Sequence, residues 1–470
     1  MAQGIKDTTY RALQKFLGKG KPPDLGKLYS RTAACEHIDR NPVILIPGLL
    51  GSKLRDDDSG LNLWGTFGKD AASVQTPVGA RLMSVPMQPD VSLQDIRDSV
   101  IPYKTLDHIK GNLLGMPVQL SAYSQILLTL GVGGFQDQNL ADDGVVDYGN
   151  DHYTCFQYAY DWRRDLVEGA RKLDRYINSR REFVQAKIEE NYGIKDYDVK
   201  INLIAHSMGG LLLRYYLMFG NADLPKDGSI PEVTWKGAEH IGKAILIGTP
   251  SGGSIKMLQA LLDGNKVAPG IPKFDPAVIG TMPATYQLLP RTRHESVVDL
   301  NDQTRTLDMF DIETWRAGNL GLLDPEQDKI LQWILPDVSD QVSRREIALD
   351  HLDKILKRAK QFTQAMDQPS RHPSGLNMTL IAADSVPTNS KLGIDMNTGA
   401  SVVLEEAPGD DSVTRKSALL DERTEEDWGP LLNSPVKWNN VFFIFSDHLG
   451  LTKHPMFTDN VLYQLLEHPD

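Results

Sequence analysis

The chain has 470 residues and a formal charge of −12, with 41% hydrophobic and 24% charged residues, which is typical of soluble globular proteins. This length predicts either one large catalytic domain with insertions or two to three smaller units. The acidic balance argues against non-specific nucleic-acid binding, and no apolar run reaches the roughly 18–20 residues that a membrane-spanning helix needs.

Residues 1–40 form a basic N-terminal segment without the apolar stretch of a secretory signal peptide. Four apolar residues of this segment would share one face of a helix: Ile5, Leu13, Phe16 and Leu17. Such a helix could lie on a membrane surface, but a frayed terminus or a helix packed on the protein body is the favoured interpretation. The two cysteines, Cys35 and Cys155, make no disulfide framework and fit a reducing compartment. We therefore expect a cytoplasmic protein, with peripheral membrane contact as an open alternative.

Residues 41–54 read NPVILIPGLLGSKL, and their apolar run at 43–46 predicts a strand buried on both faces, as in a parallel sheet. Pro47 and Gly48 end this strand. The glycine-flanked loop that follows could turn backbone N–H groups toward a developing oxyanion. A plain strand–turn connection fits these residues equally well.

Residues 55–150 are less regular and are interpreted as a lid or insert. Trp64 stands among apolar residues that look exposed, and it could be a lid aromatic that meets an acyl chain. A Trp packed in a surface loop is an equal alternative. One helix is expected over residues 121–130, where apolar residues recur on one face.

Residues 153–158 predict a second strand, and a charged helix is expected over residues 164–191. Five apolar residues at helical spacing would pack this helix on the sheet: Leu166, Leu173, Ile177, Val184 and Ile188. Between the strand and the helix, Asp161 and Arg163 are interpreted as a structural ion pair beside the site.

Residues 200–217 carry the most informative pattern, an apolar strand that passes through AHSMG into an apolar helix. A strand that turns sharply into a helix with Ser at the bend is the nucleophile elbow of α/β-hydrolases. The tight turn requires small residues two before and two after Ser207. Ala205 and Gly209 meet that requirement, although the usual pattern has Gly where Ala205 stands.

A further buried strand is expected over residues 243–250, and the alternation of strands with helices indicates a mostly parallel, doubly wound sheet. The core would comprise residues 41–266 and 374–470. Residues 267–373 show proline-rich turns, two helical patterns at 326–335 and 343–366, and no strong strand. They are interpreted as a mainly helical cap that closes the site, with a purely stabilising insertion as the alternative.

The final part of the chain predicts strands at 377–382 and 441–445, a hairpin over 392–404 and a closing helix over 456–467. The hairpin is followed by PGDDSVT at 408–414, and the last strand is followed by SDHLG at 446–450. Loops after strands of this kind are where an α/β-hydrolase places its acid and its base.

The order Ser, acid, His that an α/β-hydrolase requires is present. Ser207 needs a base within hydrogen-bond reach, and His448 stands in a loop just after a strand, where the base belongs. His454 is the alternative, at the start of the closing helix. His206 would point away from the Ser207 hydroxyl and is interpreted as a buried structural residue.

The acid that orients the histidine is Asp410 or Asp411, and spacing alone does not choose between them. The backbone N–H groups of Leu49 and Met208 would form the oxyanion hole. No metal ion or organic cofactor is implied by the sequence.

Seven motifs together resemble the lecithin:cholesterol acyltransferase-like family of α/β-hydrolases. They are PVILIPGLLG at 42–51, YDWR at 160–163, AHSMG at 205–209, GTPSGGS at 248–254, YQLLP at 286–290, GDDSV at 409–413 and HL at 448–449. The resemblance implies Asp410 as the acid, His448 as the base and Leu49 as an oxyanion donor. The signal peptide and disulfide-closed lid of the secreted members are not visible in this sequence.

The sequence therefore predicts a serine esterase of the lipase, phospholipase or O-acyltransferase kind that acts on acyl esters, with lipids as the favoured substrates, through an acyl-Ser207 intermediate. Two alternatives remain open. One is a hydrolase of soluble non-lipid esters or thioesters, and the other is a catalytically silent fold that binds lipids or proteins.

Overall fold

A parallel sheet of six strands forms the centre of the described part of the molecule. In the computed structural model these strands are β1 (Val43–Ile46), β7 (Cys155–Gln157), β8 (Ile201–His206), β9 (Ile241–Ile247), β12 (Asn377–Ala382) and β15 (Asn440–Phe443). Their order across the sheet is β15-β12-β9-β8-β1-β7. The model describes residues 29–34, 38, 40–66, 71–106, 108–113, 116–121, 123–266, 273–424 and 427–468. The predicted N-terminal stripe and Cys35 lie outside these ranges.

The side of the sheet on which successive strands are added changes between β1 and β8. The chain passes from β1 to β7 on one side, then returns to β8 on the other side and continues outward through β9, β12 and β15. In open α/β sheets ligands bind at the carboxyl ends of the strands beside such a switch point. The loops after β1 and β8 are the ones that carry Leu49 and Ser207.

The inner strands are apolar because helices cover both faces of the sheet. Every residue of β1, β8 and β9 is buried, which agrees with the continuous apolar runs predicted for a parallel sheet. The helix predicted at 164–191 spans Leu166–Tyr192, and its five predicted packing residues are all buried. It packs beside the helix Met208–Phe219, which follows the elbow.

The helices have the following bounds: α1 Ser30–Ala34, α2 Pro77–Met83, α3 Ser124–Val132, α4 Gln138–Asp142, α5 Leu166–Tyr192, α6 Met208–Phe219, α7 Ile255–Asp263, α8 Pro276–Ile279, α9 Pro283–Tyr286, α10 Ile312–Ala317, α11 Asp328–Ile334, α12 Gln341–Met366, α13 Arg415–Leu419 and α14 Pro455–Leu466. The strands outside the central sheet are β2 Ser52–Asp56, β3 Asn62–Trp64, β4 Val100–Thr105, β5 His108–Leu113, β6 Met116–Ser121, β10 Val297–Asp299, β11 Asp302–Thr306, β13 Val386–Ile394 and β14 Ser401–Gly409.

Residues 267–373 have no strong strand pattern in the sequence, yet the structure contains two short strands there. The short strands β10 and β11 pair with each other, and β10 pairs in parallel with β13, about ninety residues further along the chain. Strand β11 reads DQTRT and is largely exposed, so it has no apolar periodicity that a sequence pattern could detect. It lies at the edge of the sheet, beside the preceding strand β10, and the long-range pairing of β10 with β13 brings both strands into the sheet.

The long helix α12 packs against the body of the protein. Phe362 stacks on Tyr215 of α6 with 5.7 Å between ring centroids, and Arg358 Nε lies 2.8 Å from Asp165 Oδ2 at the start of α5. Among the residues that the structure describes, none from 273–373 lines the cavity at Ser207. The role of this segment, as a cap or as a stabilising insertion, and the predicted domain boundaries stay predictions.

Candidate active site

The turn between β8 and α6 holds Ser207 in a strained backbone conformation. Its φ of 54° and ψ of −127° lie in a region that residues with a Cβ rarely adopt. The Ser207 N–H donates to Ile247 O at 2.7 Å, which restrains the turn from the neighbouring strand. A Cβ on Gly209 would lie 2.3 Å from Pro47 O, and one on Gly210 would lie 1.9 Å from Thr249 Oγ1. Larger residues at these two positions would therefore push the elbow off its strands.

Ser207, His448 and Asp410 are brought together from three loops at the carboxyl ends of strands. His448 Nε2 lies 3.0 Å from Ser207 Oγ, and His448 Nδ1 lies 2.8 Å from Asp410 Oδ2. The His448 backbone N–H also donates to Asp410 O at 2.8 Å, which ties the two loops together. This is the spacing that a nucleophile, a base and an orienting acid require.

The surroundings of Asp410 stabilise its carboxylate form inside the protein. Its side chain is almost fully buried, and its Oδ1 accepts the N–H groups of Ser412 and Val413 at 3.0 and 2.7 Å. Burial acts to raise the pKa of Asp410. The charge and hydrogen bond of His448, together with the two N–H groups, outweigh burial and bring this pKa below its ordinary value of 3.8.

Asp411 points away from the imidazole. It forms an ion pair with Lys256, and 59% of its side chain is exposed. Its backbone has a φ of 75°, so the chain reverses between the two aspartates. His454, the alternative base, instead caps α14, because its Nδ1 accepts the Met456 N–H at 3.2 Å.

Residues 48–51 form a tight turn directly after β1, which we call the oxyanion turn. The Gly51 N–H donates to Gly48 O at 3.0 Å, and Leu50 has a φ of 62°, which is the geometry of a type II turn with a leucine at the glycine-favoured position. A Cβ on Gly48 would lie 2.8 Å from Ser207 Cβ. The turn therefore approaches the nucleophile so closely that only glycine fits there.

The two predicted oxyanion donors, Leu49 and Met208, belong to the segments on either side of Ser207. Leu49 is the second residue of the oxyanion turn and lines the same cavity as Ser207. Met208 is the first residue of α6, so its N–H has no acceptor within the helix. Two N–H groups in these positions could stabilise negative charge on a tetrahedral intermediate.

His206 is buried and neutral. Burial, followed by the charge of His448, lowers the pKa of His206 to about 3. Its Nδ1 lies 3.3 Å from the Tyr123 hydroxyl, and its Nε2 lies 3.4 Å from the His448 carbonyl oxygen. Both ring nitrogens thus face groups other than the Ser207 hydroxyl.

Ser207 and His448 open into a cavity of about 640 Å³. Its apolar lining comes from Leu49, Leu50, Trp64, Leu106, Val386 and Leu449, and its polar lining includes Lys256, Asp411, Asp447 and Lys453. A cavity of this size and mixed character can accept an acyl chain that carries a polar group.

The expectation that Trp64 is exposed is wrong, because only 1% of its surface is accessible. Its ring packs edge-on against Trp162 and Phe274 at 6.1 and 5.8 Å. The indole N–H donates to the Leu50 carbonyl at 2.7 Å. Trp64 therefore lines the cavity from within the packed core and holds the oxyanion turn.

Side chains of the YDWR segment at 160–163 form hydrogen bonds with the residues on either side of the oxyanion turn. The Tyr160 hydroxyl donates to Pro47 O, and the Trp162 indole donates to Ser52 O, both at 3.0 Å. Arg163 is fully buried and pairs with Asp161 and Asp98 at 2.7 and 2.8 Å. The predicted ion pair is present. Asp98 is a third member, which could not be predicted because it lies far from Asp161 and Arg163 in the sequence.

The sequence interpretation missed Tyr123 as a site residue. It was expected only on the apolar face of a helix, whereas its hydroxyl accepts the Gly48 N–H at 2.7 Å. A lone tyrosine before a helix carries no sequence signal for this contact. Within the described ranges, no group of three or more His, Cys, Asp or Glu residues could hold a metal ion, and no helix there is long and apolar enough to span a membrane.

The comparisons with known proteins agree with the motifs. The model of the lecithin:cholesterol acyltransferase family matches residues 138–340, a range that includes the elbow but not Asp410 or His448. Phosphatidylcholine-sterol acyltransferase from Gallus gallus is 33% identical over 135 residues, which is 29% of this chain. The match spans only 26% of that relative's length.

Among solved structures, the crystal structure of the Tle4-Tli4 complex superposes with a TM-score of 0.51 at 14% identity, covering 92% of this chain and all of the matched chain. The match to lipase 1 from Pelosinus fermentans has 12% identity and a TM-score of 0.32, and it covers similar shares of both chains.

The parallel sheet, its switch point and the serine at the strand–helix turn define the class: this chain is an α/β-hydrolase fold protein. Over residues 138–340 the chain is similar to the lecithin:cholesterol acyltransferase family, which confirms the resemblance that the motifs predicted.

Proposed function

We propose that this protein is a serine esterase or O-acyltransferase that forms an acyl-Ser207 intermediate on acyl esters, with lipids as its substrates. One observation carries the proposal. Ser207 Oγ lies 3.0 Å from His448 Nε2, while His448 Nδ1 lies 2.8 Å from the buried Asp410 carboxylate, and Ser207 and His448 both line a cavity large enough for an acyl chain.

In the acylation step, Ser207 Oγ attacks the ester carbonyl carbon while His448 Nε2 accepts the hydroxyl proton. Asp410 stabilises the imidazolium that forms and keeps the ring oriented. The N–H groups of Leu49 and Met208 stabilise the oxyanion. When the tetrahedral intermediate collapses, the ester C–O bond breaks and His448 protonates the leaving alcohol.

In the deacylation step, water or a second alcohol gives its proton to His448 and attacks the acyl carbon. Water releases a fatty acid, whereas an alcohol releases a new ester, and in both cases Ser207 recovers its proton. Hydrolysis and transfer therefore use the same groups of the protein and differ only in the acceptor that reaches the acyl-enzyme.

Lipid substrates are supported by the lining of the cavity and by its rim. Phe445 and Leu449 flank His448 in the loop after β15 and are 81% and 46% exposed. Leu449 also lines the cavity. Apolar side chains that face water beside a site mouth are typical of contact with a partner or a lipid surface. We therefore propose peripheral contact with lipid surfaces through this loop.

Labelling with a fluorophosphonate probe tests the serine mechanism. We expect the wild-type protein to be labelled and Ser207→Ala to be unlabelled, with Ser254→Ala as a matched control that keeps the nucleophile. A folded wild-type protein that resists labelling would leave the catalytically silent alternative in place.

Incubation with a panel of lipids, with and without an added alcohol, tests the substrate class when products are read by mass spectrometry. Free fatty acid indicates hydrolysis, and a new ester indicates transfer. Faster turnover of a short water-soluble ester than of phospholipid vesicles would favour the soluble-ester alternative. Cell fractionation would test the predicted cytoplasmic location.

A further inference from the structure

We propose that Tyr123 is a positioning residue for this reaction: its hydroxyl holds the oxyanion turn and, through the neutral His206, links that turn to the loop that carries His448. This inference rests on the proposed function of Ser207. Tyr123 touches neither the reacting atoms nor the acid and base, so it acts through the groups that do.

Tyr123 holds the oxyanion turn at both ends. The hydroxyl accepts the N–H of Gly48, the first residue of the turn, at 2.7 Å. The Tyr123 backbone N–H donates to Leu106 O at 3.4 Å, and the Leu106 N–H donates to the carbonyl of Gly51, the last residue of the turn, at 2.8 Å. A Cβ on Gly51 would lie 2.7 Å from the Tyr123 hydroxyl. The phenol hydroxyl is therefore close to both the first and the last residue of the turn.

The turn needs such restraint because its conformation is not one that its residues favour. Leu50 adopts a positive φ of 62°, which is unfavourable for a residue with a Cβ. Trp64 restrains the Leu50 carbonyl from the other side. If the Gly48 N–H lost its acceptor, the Leu49 N–H beside it could rotate away from the substrate.

The same hydroxyl reaches the base through His206. Because it accepts the Gly48 N–H, its own proton can be donated to His206 Nδ1, 3.3 Å away. That places the proton of the neutral imidazole on Nε2, which faces the His448 carbonyl at 3.4 Å. The rings of His206 and His448 also lie 5.0 Å apart. One run of contacts therefore connects Gly48, Tyr123, His206 and the His448 loop.

The consequence is that the oxyanion donor and the base are positioned by one shared group. Loss of a whole oxyanion donor costs roughly 10²–10³-fold in kcat in serine hydrolases. Displacing a donor is a smaller perturbation than removing it. For Tyr123→Phe we therefore expect kcat to fall about 10–100-fold, while KM stays within about threefold because the ring still lines the cavity.

The experiment compares Tyr123→Phe with Tyr176→Phe on one ester substrate. Tyr176 is a control because its hydroxyl donates a hydrogen bond to a backbone oxygen away from the oxyanion turn, Gln157 O at 3.0 Å. Inhibition by an arylboronic acid adds a readout of the oxyanion hole, since its tetrahedral adduct on Ser207 places an oxygen there. We expect the boronate to bind Tyr123→Phe more weakly by a factor similar to the loss in kcat.

His206→Asn and the double variant with Tyr123→Phe test the link to the base. If the two residues act as one unit, the double variant should lose little more activity than Tyr123→Phe alone. Independent, multiplicative losses would overturn the link.

The outcomes separate this inference from the proposed function. A wild-type protein that is not labelled at Ser207 refutes both. A labelled wild type refutes the inference alone if Tyr123→Phe keeps kcat and boronate affinity within twofold, or if Tyr176→Phe loses as much. If Tyr123→Phe does not fold, His206→Asn decides: unchanged kcat and boronate affinity would overturn the proposal, and a fall in kcat at unchanged KM would support it.

Discussion

The replacement Asp410→Asn changes one buried atom of the candidate triad and leaves the shape of the side chain unchanged. Asp410 Oδ1 accepts the N–H groups of Ser412 and Val413, and Oδ2 accepts from His448 Nδ1. The oxygen of an asparagine must take the two N–H groups, so its NH₂ group would face Nδ1. His448 would then carry its proton on Nε2, where it cannot accept the proton of Ser207.

The expected loss follows from this forced tautomer. An acid-to-amide change of this kind costs about 10⁴-fold in kcat, which corresponds to about 5.5 kcal/mol in transition-state stabilisation. The neighbouring Asp411→Asn is a matched control. Asp411 is 59% exposed and paired with Lys256, and asparagine tolerates its positive φ. Since exposed ion pairs contribute little, we expect less than about threefold loss of activity.

The assay is the steady-state hydrolysis of a chromogenic ester, with the circular dichroism spectrum and melting temperature of each variant recorded as a folding control. Folded Asp410→Asn should retain its secondary structure and lose turnover. Similar activities for the two variants, or a larger loss in Asp411→Asn, would show that the acid has been assigned to the wrong residue.

Three further predictions address the base, the pH dependence and the oxyanion turn. His448→Ala should abolish turnover, whereas His454→Ala removes only a helix cap worth about 1 kcal/mol and should keep most of it; equal losses in an ester assay would contradict the assignment of the base. Burial acts to raise the pKa of Glu422, but Arg293 and the adjacent histidine outweigh it and lower this pKa from 4.5 to about 2. The folded-state pKa is depressed, so the resulting stability is present above about pH 4.5 and is lost as the pH falls toward 2. A shift of this size corresponds to about 3 kcal/mol, which solvent screening reduces to about 2 kcal/mol because Glu422 is partly exposed. In urea unfolding across that window Glu422→Gln should therefore lose about 2 kcal/mol less stability than wild type; identical pH profiles would refute this. Gly48→Ala would place a Cβ 2.8 Å from the Cβ of the nucleophile, and it should reduce kcat at least tenfold; wild-type kcat in this variant would mean that the turn moves freely.

The strands and helices that have strong apolar periodicity were predictable from the sequence. Strand β8, helix α5 and the serine between β8 and α6 were expected close to where they lie, because buried parallel strands and amphipathic helices leave local patterns. Strand β11 was not, because an exposed polar strand has no such pattern. It pairs with the preceding strand β10, and only β10 is joined to the distant strand β13.

The candidate site was likewise predictable from the sequence only in part. The order of Ser207, the acid pair and His448 was visible from motifs alone. The choice of Asp410 required the resemblance, and the structure adds a reason: the chain reverses at Asp411, so that only Asp410 faces the imidazole. Trp64 was misplaced because a tryptophan in an irregular segment looks exposed until the core that covers it is known.

By itself, the sequence determined that this chain forms a parallel α/β sheet and places a serine at a sharp strand–helix turn, because both depend on residues close together in the chain. Only the tertiary structure decided which groups surround that serine. The hydrogen bonds that Tyr123 and Trp64 form with the oxyanion turn, the first as acceptor and the second as donor, and the packing of α12 on α6 join segments that are not neighbours in sequence. Such contacts depend on how the chain folds back on itself, so no local pattern of residues encodes them.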